Sequence, residues 1–214
     1  MVSGHLSRLT TPVTGVLFVG LTLASIATGG NTPDSNASGA HVIAFYEAHR
    51  HSQQVSNILF VFAALFFVFF AGSLHGYLRR TPAAATASAL MLAGAAVLAV
   101  GITTLSGLGY ALADVPSHLN AGAAQALNVL SNDVFYTLLV GGSVFGIASA
   151  VAILRGAALP NWLGWVAVVI GIAMATPAFW FSGLVLFVWI FIVSVLIYTR
   201  TGDKIGAVPA AQTP

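Results

Sequence analysis

Six mostly apolar runs dominate the chain, each near the length at which an α-helix crosses a bilayer, roughly 20 residues. They fall at 11–29, 54–78, 84–108, 133–154, 161–178 and 181–199. Each run is continuous and does not alternate, so helices are expected and a membrane β-barrel is not. The expected fold is therefore all-α: a polytopic membrane bundle of six transmembrane helices in a single integral domain, residues 1–214. Charge supports this reading. Only 6% of residues are Asp, Glu, Lys or Arg, against about 25% in a soluble domain. So few charges cannot clothe a water-exposed surface of this size. The formal net charge is +2 and no basic stripe exists, so nucleic acid is not an expected partner. The chain has no Cys, which excludes disulfides, thiolate metal sites and cysteine nucleophiles.

Lysine and arginine set the orientation, because they are retained on the cytoplasmic side. With a cytoplasmic N-terminus, Arg8, Arg79, Arg80, Arg155, Arg200 and Lys204 fall inside and Arg50 alone falls outside. Asp34, Glu47 and Asp114 join the outer side, and Asp133 lies at the outer end of the fourth span. Six spans then leave both termini cytoplasmic. A rival reading takes the first span as a signal peptide, with Arg8 before the apolar stretch and the small residues Ser25 and Ala27 before a cleavage site. Cleavage would leave five spans in the same orientation. The inner connections are short, whereas two outer segments, 30–53 and 109–132, are longer.

The first of these carries the chain's main polar concentration. Pro33 keeps the first span from resuming, and Ser35 or Ser38 can cap a new helix. From Ala40 no Gly or Pro follows until Gly72, so one helix could run from the outer surface through the second span. It would be an amphipathic outer helix leading into lipid, with Val42, Phe45 and Tyr46 on its apolar side. Glu47, Arg50, Gln54 and Asn57 would share a face, with Glu47 and Arg50 an exposed i,i+3 pair. The simplest account is a helix dipping from water into the membrane, since His and Tyr are at home among headgroups. The sharper account is an outward-facing site that uses Glu47, His51 and Asn57.

Asn128, Asn132, Asp133 and Tyr136 form the second concentration. Ser131, Asn132 or Asp133 could cap the fourth span. Alternatively, Asp133 faces a pocket shared with the second span, since a carboxylate at membrane depth is a functional candidate. Glu47 and Asp133 are thus candidate acid/base groups, with His51 and Tyr136 assisting. Asn57, Asn128, Asn132 and Trp189 are candidate ligand contacts. His118, His51, Glu47 and Asp133 are ligand types that suit zinc, but no paired-His motif joins them, so no metal site is expected. His5 lies in the N-terminal tail, and His75 belongs with Tyr77 and Arg79 at the inner interface.

Small residues in the third span, and Gly142 and Gly146 in the fourth, suit close packing inside the bundle. Trp162 and Trp165 mark the inner aromatic belt and Trp180 the outer turn, while Trp189 sits deeper and should face the bundle. The sole Lys, Lys204, lies in the tail, so no Schiff base can form within the membrane. Nucleotide-binding Gly loops and in-span His pairs for haem are also missing, and no cofactor is expected.

Two stretches carry a resemblance. "GGNTPDSNASGAHVIAFYEAH" precedes a Phe-rich span ending "LHGYLRR", and "LRGAALPNWLGWVAVVIGI" joins the fourth and fifth spans. With the six-span layout, they resemble small, uncharacterised multi-pass integral membrane proteins of actinobacteria. The resemblance implies a bacterial plasma-membrane location and brings no catalytic residues with it. Three functions are consistent with the sequence. The first is a non-enzymatic protein that binds a lipid-like or small apolar molecule, or a membrane partner, from the outer leaflet. The second is an intramembrane enzyme using Glu47 and Asp133 on an apolar substrate. The third is a small transporter, against which stands the lack of an internal repeat.

Overall fold

The computed structural model describes the backbone of residues 3–206 and the side chains of residues 13–200 other than Trp180. His5, Arg8, Trp180 and Lys204, which figure in the sequence analysis, have side chains outside the described residues. Across the described residues the chain is helical and contains no strand. The helices are α1 (Ser3–Gly29), α2 (Gly39–Ala48), α3 (Arg50–Leu78), α4 (Pro82–Asp114), α5 (Ala121–Asp133), α6 (Phe135–Gly156), α7 (Asn161–Met174) and α8 (Phe179–Gly206). A 3₁₀ turn, Pro116–His118, joins α4 to α5.

Four helical segments are long and apolar enough to cross a membrane: Arg50–Leu78, Pro82–Asp114, Ala121–Gly156 and Phe181–Arg200. Val13–Gly29 and Asn161–Met174 are apolar but shorter. The fifth apolar run ends as a helix at Met174, not at 178. Pro177 disfavours helical backbone at Thr176. The Thr176 hydroxyl donates instead to the Ala173 carbonyl, 2.8 Å away.

Six helices close into a ring in chain order. α1 packs on α3, α3 on α4, α4 on α6, α6 on α7, α7 on α8, and α8 returns to α1. Aromatic rings fill the centre. Phe18 of α1 meets Phe67 of α3 at 5.0 Å between centroids, Phe67 meets Phe145 of α6 at 5.2 Å, and Phe145 meets Trp189 of α8 at 6.1 Å. Buried Trp189 donates its indole N–H to the Leu163 carbonyl at 3.0 Å, which locks α8 to α7. The expected bundle-facing position of Trp189 is met.

Glycines on two faces of α6 set the helix spacing. A Cβ at Gly141 would lie 2.4 Å from the Leu98 backbone of α4, and one at Gly146 would lie 2.8 Å from the Gly171 Cα of α7. Gly142 abuts Met174 on the same α7 side. The Gly142 and Gly146 pair is thus used inside the bundle. Serines do similar work between α1 and α3. Ser25 and Ser56 each donate to the other's backbone carbonyl at 2.9 Å.

Outside the ring, α2, α5, the 3₁₀ turn and the end of α4 form a cap with its own small core. Val42, Tyr46, Leu112, Ala113 and Ala124 are buried together there. The cap explains three departures from the sequence expectations. First, the helix from Ala40 does not run unbroken. It bends at His49 (φ −115°, ψ 18°), which lets α2 lie on α5 while α3 enters the ring. The His49 ring stacks on Phe45, 4.5 Å between centroids, and its Nδ1 meets the Phe45 carbonyl at 2.9 Å. Second, α4 continues to Asp114, past the expected end at 108, because Leu112 and Ala113 are buried in this core. Third, Ser131, Asn132 and Asp133 do not cap the fourth span. They end α5, which is capped at its own start by Asn120, whose side chain accepts from the Ala123 N–H at 2.8 Å. The expected cap at Ser38 does form, accepting from the His41 N–H at 3.3 Å.

Close helix approach makes a direct prediction. Gly146→Val should destabilise the folded protein by about 1–3 kcal/mol, since backbone on α7 cannot move aside as a flexible side chain would. A Cβ at Gly72 would meet no atom within 4 Å, so Gly72→Ala should be neutral or slightly stabilising. Thermal unfolding of the two variants in one detergent checks both.

Candidate functional site

Where α3 and α4 leave the cap, their faces part to form a groove. Asn57, Ile58, Val61 and Phe62 of α3 line one wall, and Ser106, Gly107 and Tyr110 of α4 the other. Its volume is about 250 Å³ and its lining is almost wholly apolar. Asn57 lies seven residues beyond Arg50, hence about 10 Å further along the helix. The groove therefore starts near the polar cap and runs along apolar helix surface.

Sequence explains the local shape. Gly107 and Gly109 remove side chains from α4 opposite Asn57. A Cβ at Gly109 would fall 2.6 Å from the Asn57 Oδ1, so only glycine lets the amide rest there. Asn57 donates through Nδ2 to the Gln53 carbonyl one turn back, at 2.8 Å. No protein donor reaches its Oδ1 among the described residues. Ser106 is buried and turns its hydroxyl to its own helix, donating to the Ile102 carbonyl at 2.8 Å. Asn57 thus keeps an unused acceptor at the groove, and Tyr110 on the opposite wall carries the other polar group with hydrogen-bonding capacity to spare among the described residues.

Polar contacts at the upper rim hold the two helices. Arg50 donates to the Asp114 backbone carbonyl at the end of α4 and faces the Asp114 carboxylate at 3.9 Å. Gln54 donates to that carboxylate at 3.4 Å. This replaces the expected Glu47–Arg50 pair, because the bend at His49 sends α2 and α3 in different directions. Half-exposed as it is, the ion pair is worth little in itself. Its placement beside the carbonyl end of α4 also suits a cation. Buried Gln53 reaches the other way and donates to the Gly29 carbonyl, which ties α3 to the end of α1.

The remaining candidates are distributed elsewhere. Glu47 and His51 are exposed and do not line the groove. Asp133 is exposed at the end of α5, and Tyr136 is 62% exposed one turn later. The two carboxylates do not join Asn57 around the groove. Asn128 is 1% exposed and donates to the Asp34 carbonyl at 2.7 Å. Asn132 donates to the Asn128 carbonyl at 2.8 Å and to the Pro33 carbonyl at 3.4 Å. These two amides pin the loop between α1 and α2 to the cap. Among the described residues, no three His, Asp or Glu side chains are grouped to hold a metal ion. Sequence reasoning missed Ser106, Gly107 and Tyr110. Their signal was the small-residue stretch late in α4, which reads equally as ordinary helix packing.

No family model matches the chain, and no curated protein or solved structure is significantly similar to it.

Tyr46 anchors the cap from outside the apolar spans. Burial pushes its phenol up to about 12 from the usual 10.0. The folded state therefore keeps a proton that the unfolded chain loses above pH 10. Tyr46 favours folding fully below that pH, and its contribution fades between pH 10 and 12, by about 1.4 kcal/mol per unit. Tyr46→Phe should flatten this part of the stability profile, measured by thermal unfolding from pH 8 to 12.

Proposed function

We propose that the protein is a non-enzymatic bacterial plasma-membrane protein of six spans with cytoplasmic termini. It binds a lipid-like molecule from the outer leaflet in the groove between α3 and α4. The observation that carries the binding reading is an apolar groove with one under-used amide, Asn57, just below a polar rim. A slender chain can lie against Ile58, Val61, Phe62 and Tyr110 while a hydroxyl or carbonyl meets Asn57. The volume is below the roughly 300–1,000 Å³ of pockets that enclose a drug-sized ligand, which favours one acyl-like chain over a bulky ring system.

Six spans are supported by the ring, in which the shorter apolar helices α1 and α7 each pack between longer ones. The orientation is supported by charge. Arg79, Arg80, Arg155 and Arg200 are at the helix ends away from the cap, while Asp34, Glu47, Asp114 and Asp133 are in or beside the cap. The exposed positions of Glu47 and Asp133 favour binding over acid/base chemistry, which needs its groups within reach of one substrate.

A fatty alcohol bearing a diazirine, added to the protein in nanodiscs, tests the groove. After irradiation, labelled peptides should concentrate at residues 57–62 and 106–110. Gly107→Trp places a large side chain where a Cβ meets no atom within 4 Å, so it should fill the groove without disturbing the fold. Labelling there should fall about tenfold. Uniform labelling around the apolar surface, unchanged by Gly107→Trp, would defeat the proposal.

A further inference from the structure

At the end of the bundle opposite the cap, four arginines come from different helix ends. Arg79 and Arg80 follow α3, Arg155 is in the last turn of α6, and Arg200 is near the end of α8. Contacts show that these ends meet. Tyr77 of α3 donates its hydroxyl to the Ala158 carbonyl in the α6–α7 connection at 3.2 Å. Arg200 donates to the same carbonyl at 3.0 Å. The Arg80 guanidinium lies over the Tyr77 ring, 4.8 Å from its centroid. Gly156 packs against Thr81, so that a Cβ there would be 3.3 Å from the threonine hydroxyl.

All four arginines are exposed, and none forms an ion pair among the described residues. The described carboxylates, Asp34, Glu47, Asp114 and Asp133, are all in or beside the cap. The four arginines therefore have no counter-charge from those groups; Asp203 and Lys204, which follow Arg200, have side chains outside the described residues. Beside the arginines, Trp162 and Trp165 of α7 and Tyr198 of α8 are at least half-exposed, at 50%, 63% and 57%. Such side chains prefer the level where headgroups meet acyl chains. Planar guanidinium groups match phosphate oxygens two at a time.

We propose that this arginine collar binds the phosphate headgroup of an anionic phospholipid, with the acyl chains lying along the aromatic faces of α7 and α8. The proposal rests on the membrane-spanning reading of the bundle but not on the groove, which is at the other end. A lipid fits better than free phosphate. All four arginines are exposed, and exposed aromatic surface adjoins them for chains to cover.

Arg79 and Arg155 make the cleanest test, because their side chains form no hydrogen bond or ion pair with the protein among the described residues. Native mass spectrometry of the full chain would compare retention of phosphatidylglycerol with that of phosphatidylcholine. The wild type should retain phosphatidylglycerol preferentially. Arg79→Gln combined with Arg155→Gln should weaken that binding about thirtyfold, from two charges near the surface. Arg79→Lys with Arg155→Lys should keep most of it. Circular dichroism and diazirine labelling of the groove report separately on folding and on the other site. Loss of phosphatidylglycerol selectivity with both unchanged supports the collar. Equal retention of the two lipids by the wild type would overturn it. So would unaltered phosphatidylglycerol binding in the glutamine variant, or displacement of the lipid by equimolar inorganic phosphate.

Discussion

The ring depends on how closely its helices approach, because small residues let two backbones meet and bring many atoms into contact. α6 shows how this is achieved. Gly141 admits the α4 backbone, and Gly142 and Gly146 admit α7 on a neighbouring face. With backbones this near, many weak dispersion contacts add up. The aromatic series Phe18, Phe67, Phe145 and Trp189 fills the remaining space at the centre. A polar contact then fixes register where apolar packing alone is permissive: Ser25 with Ser56 between α1 and α3, and Trp189 with Leu163 between α7 and α8.

The cap follows a different rule. It has a core of its own, in which Val42, Tyr46 and Leu112 are buried together. That burial bends the chain at His49, although no Gly or Pro stands there. Asn128 and Asn132 complete the cap by holding carbonyls of the preceding loop. These amides have the character of a binding site in sequence, but their donors are already occupied by backbone.

The two proposed sites divide along the same axis. The groove starts beneath the cap and is apolar, with a single amide for recognition. The arginine collar is at the opposite end and is defined by charge. One would select a molecule by shape and a lone hydrogen bond, the other by headgroup charge.

How much of this was legible in the sequence depended on the range of the interaction involved. The all-helical character, the long apolar helices, the Ser38 cap and the inward position of Trp189 follow from apolar run length and local spacing, which act within a few residues. The packing use of Gly142 and Gly146 was visible for the same reason. The bend at His49, the pairing of Arg50 with Asp114 instead of Glu47, and the extension of α4 required segments far apart in the chain to meet. So did the groove, because Asn57 comes to line it only when Gly107 and Gly109 of α4 lie opposite. Sequence alone determined that this chain forms long apolar helices, since backbone polar groups in apolar surroundings must satisfy one another locally. Tertiary structure alone decided which polar residues are bound up in the fold and which are left facing a groove, since that depends on what each side chain meets across the bundle.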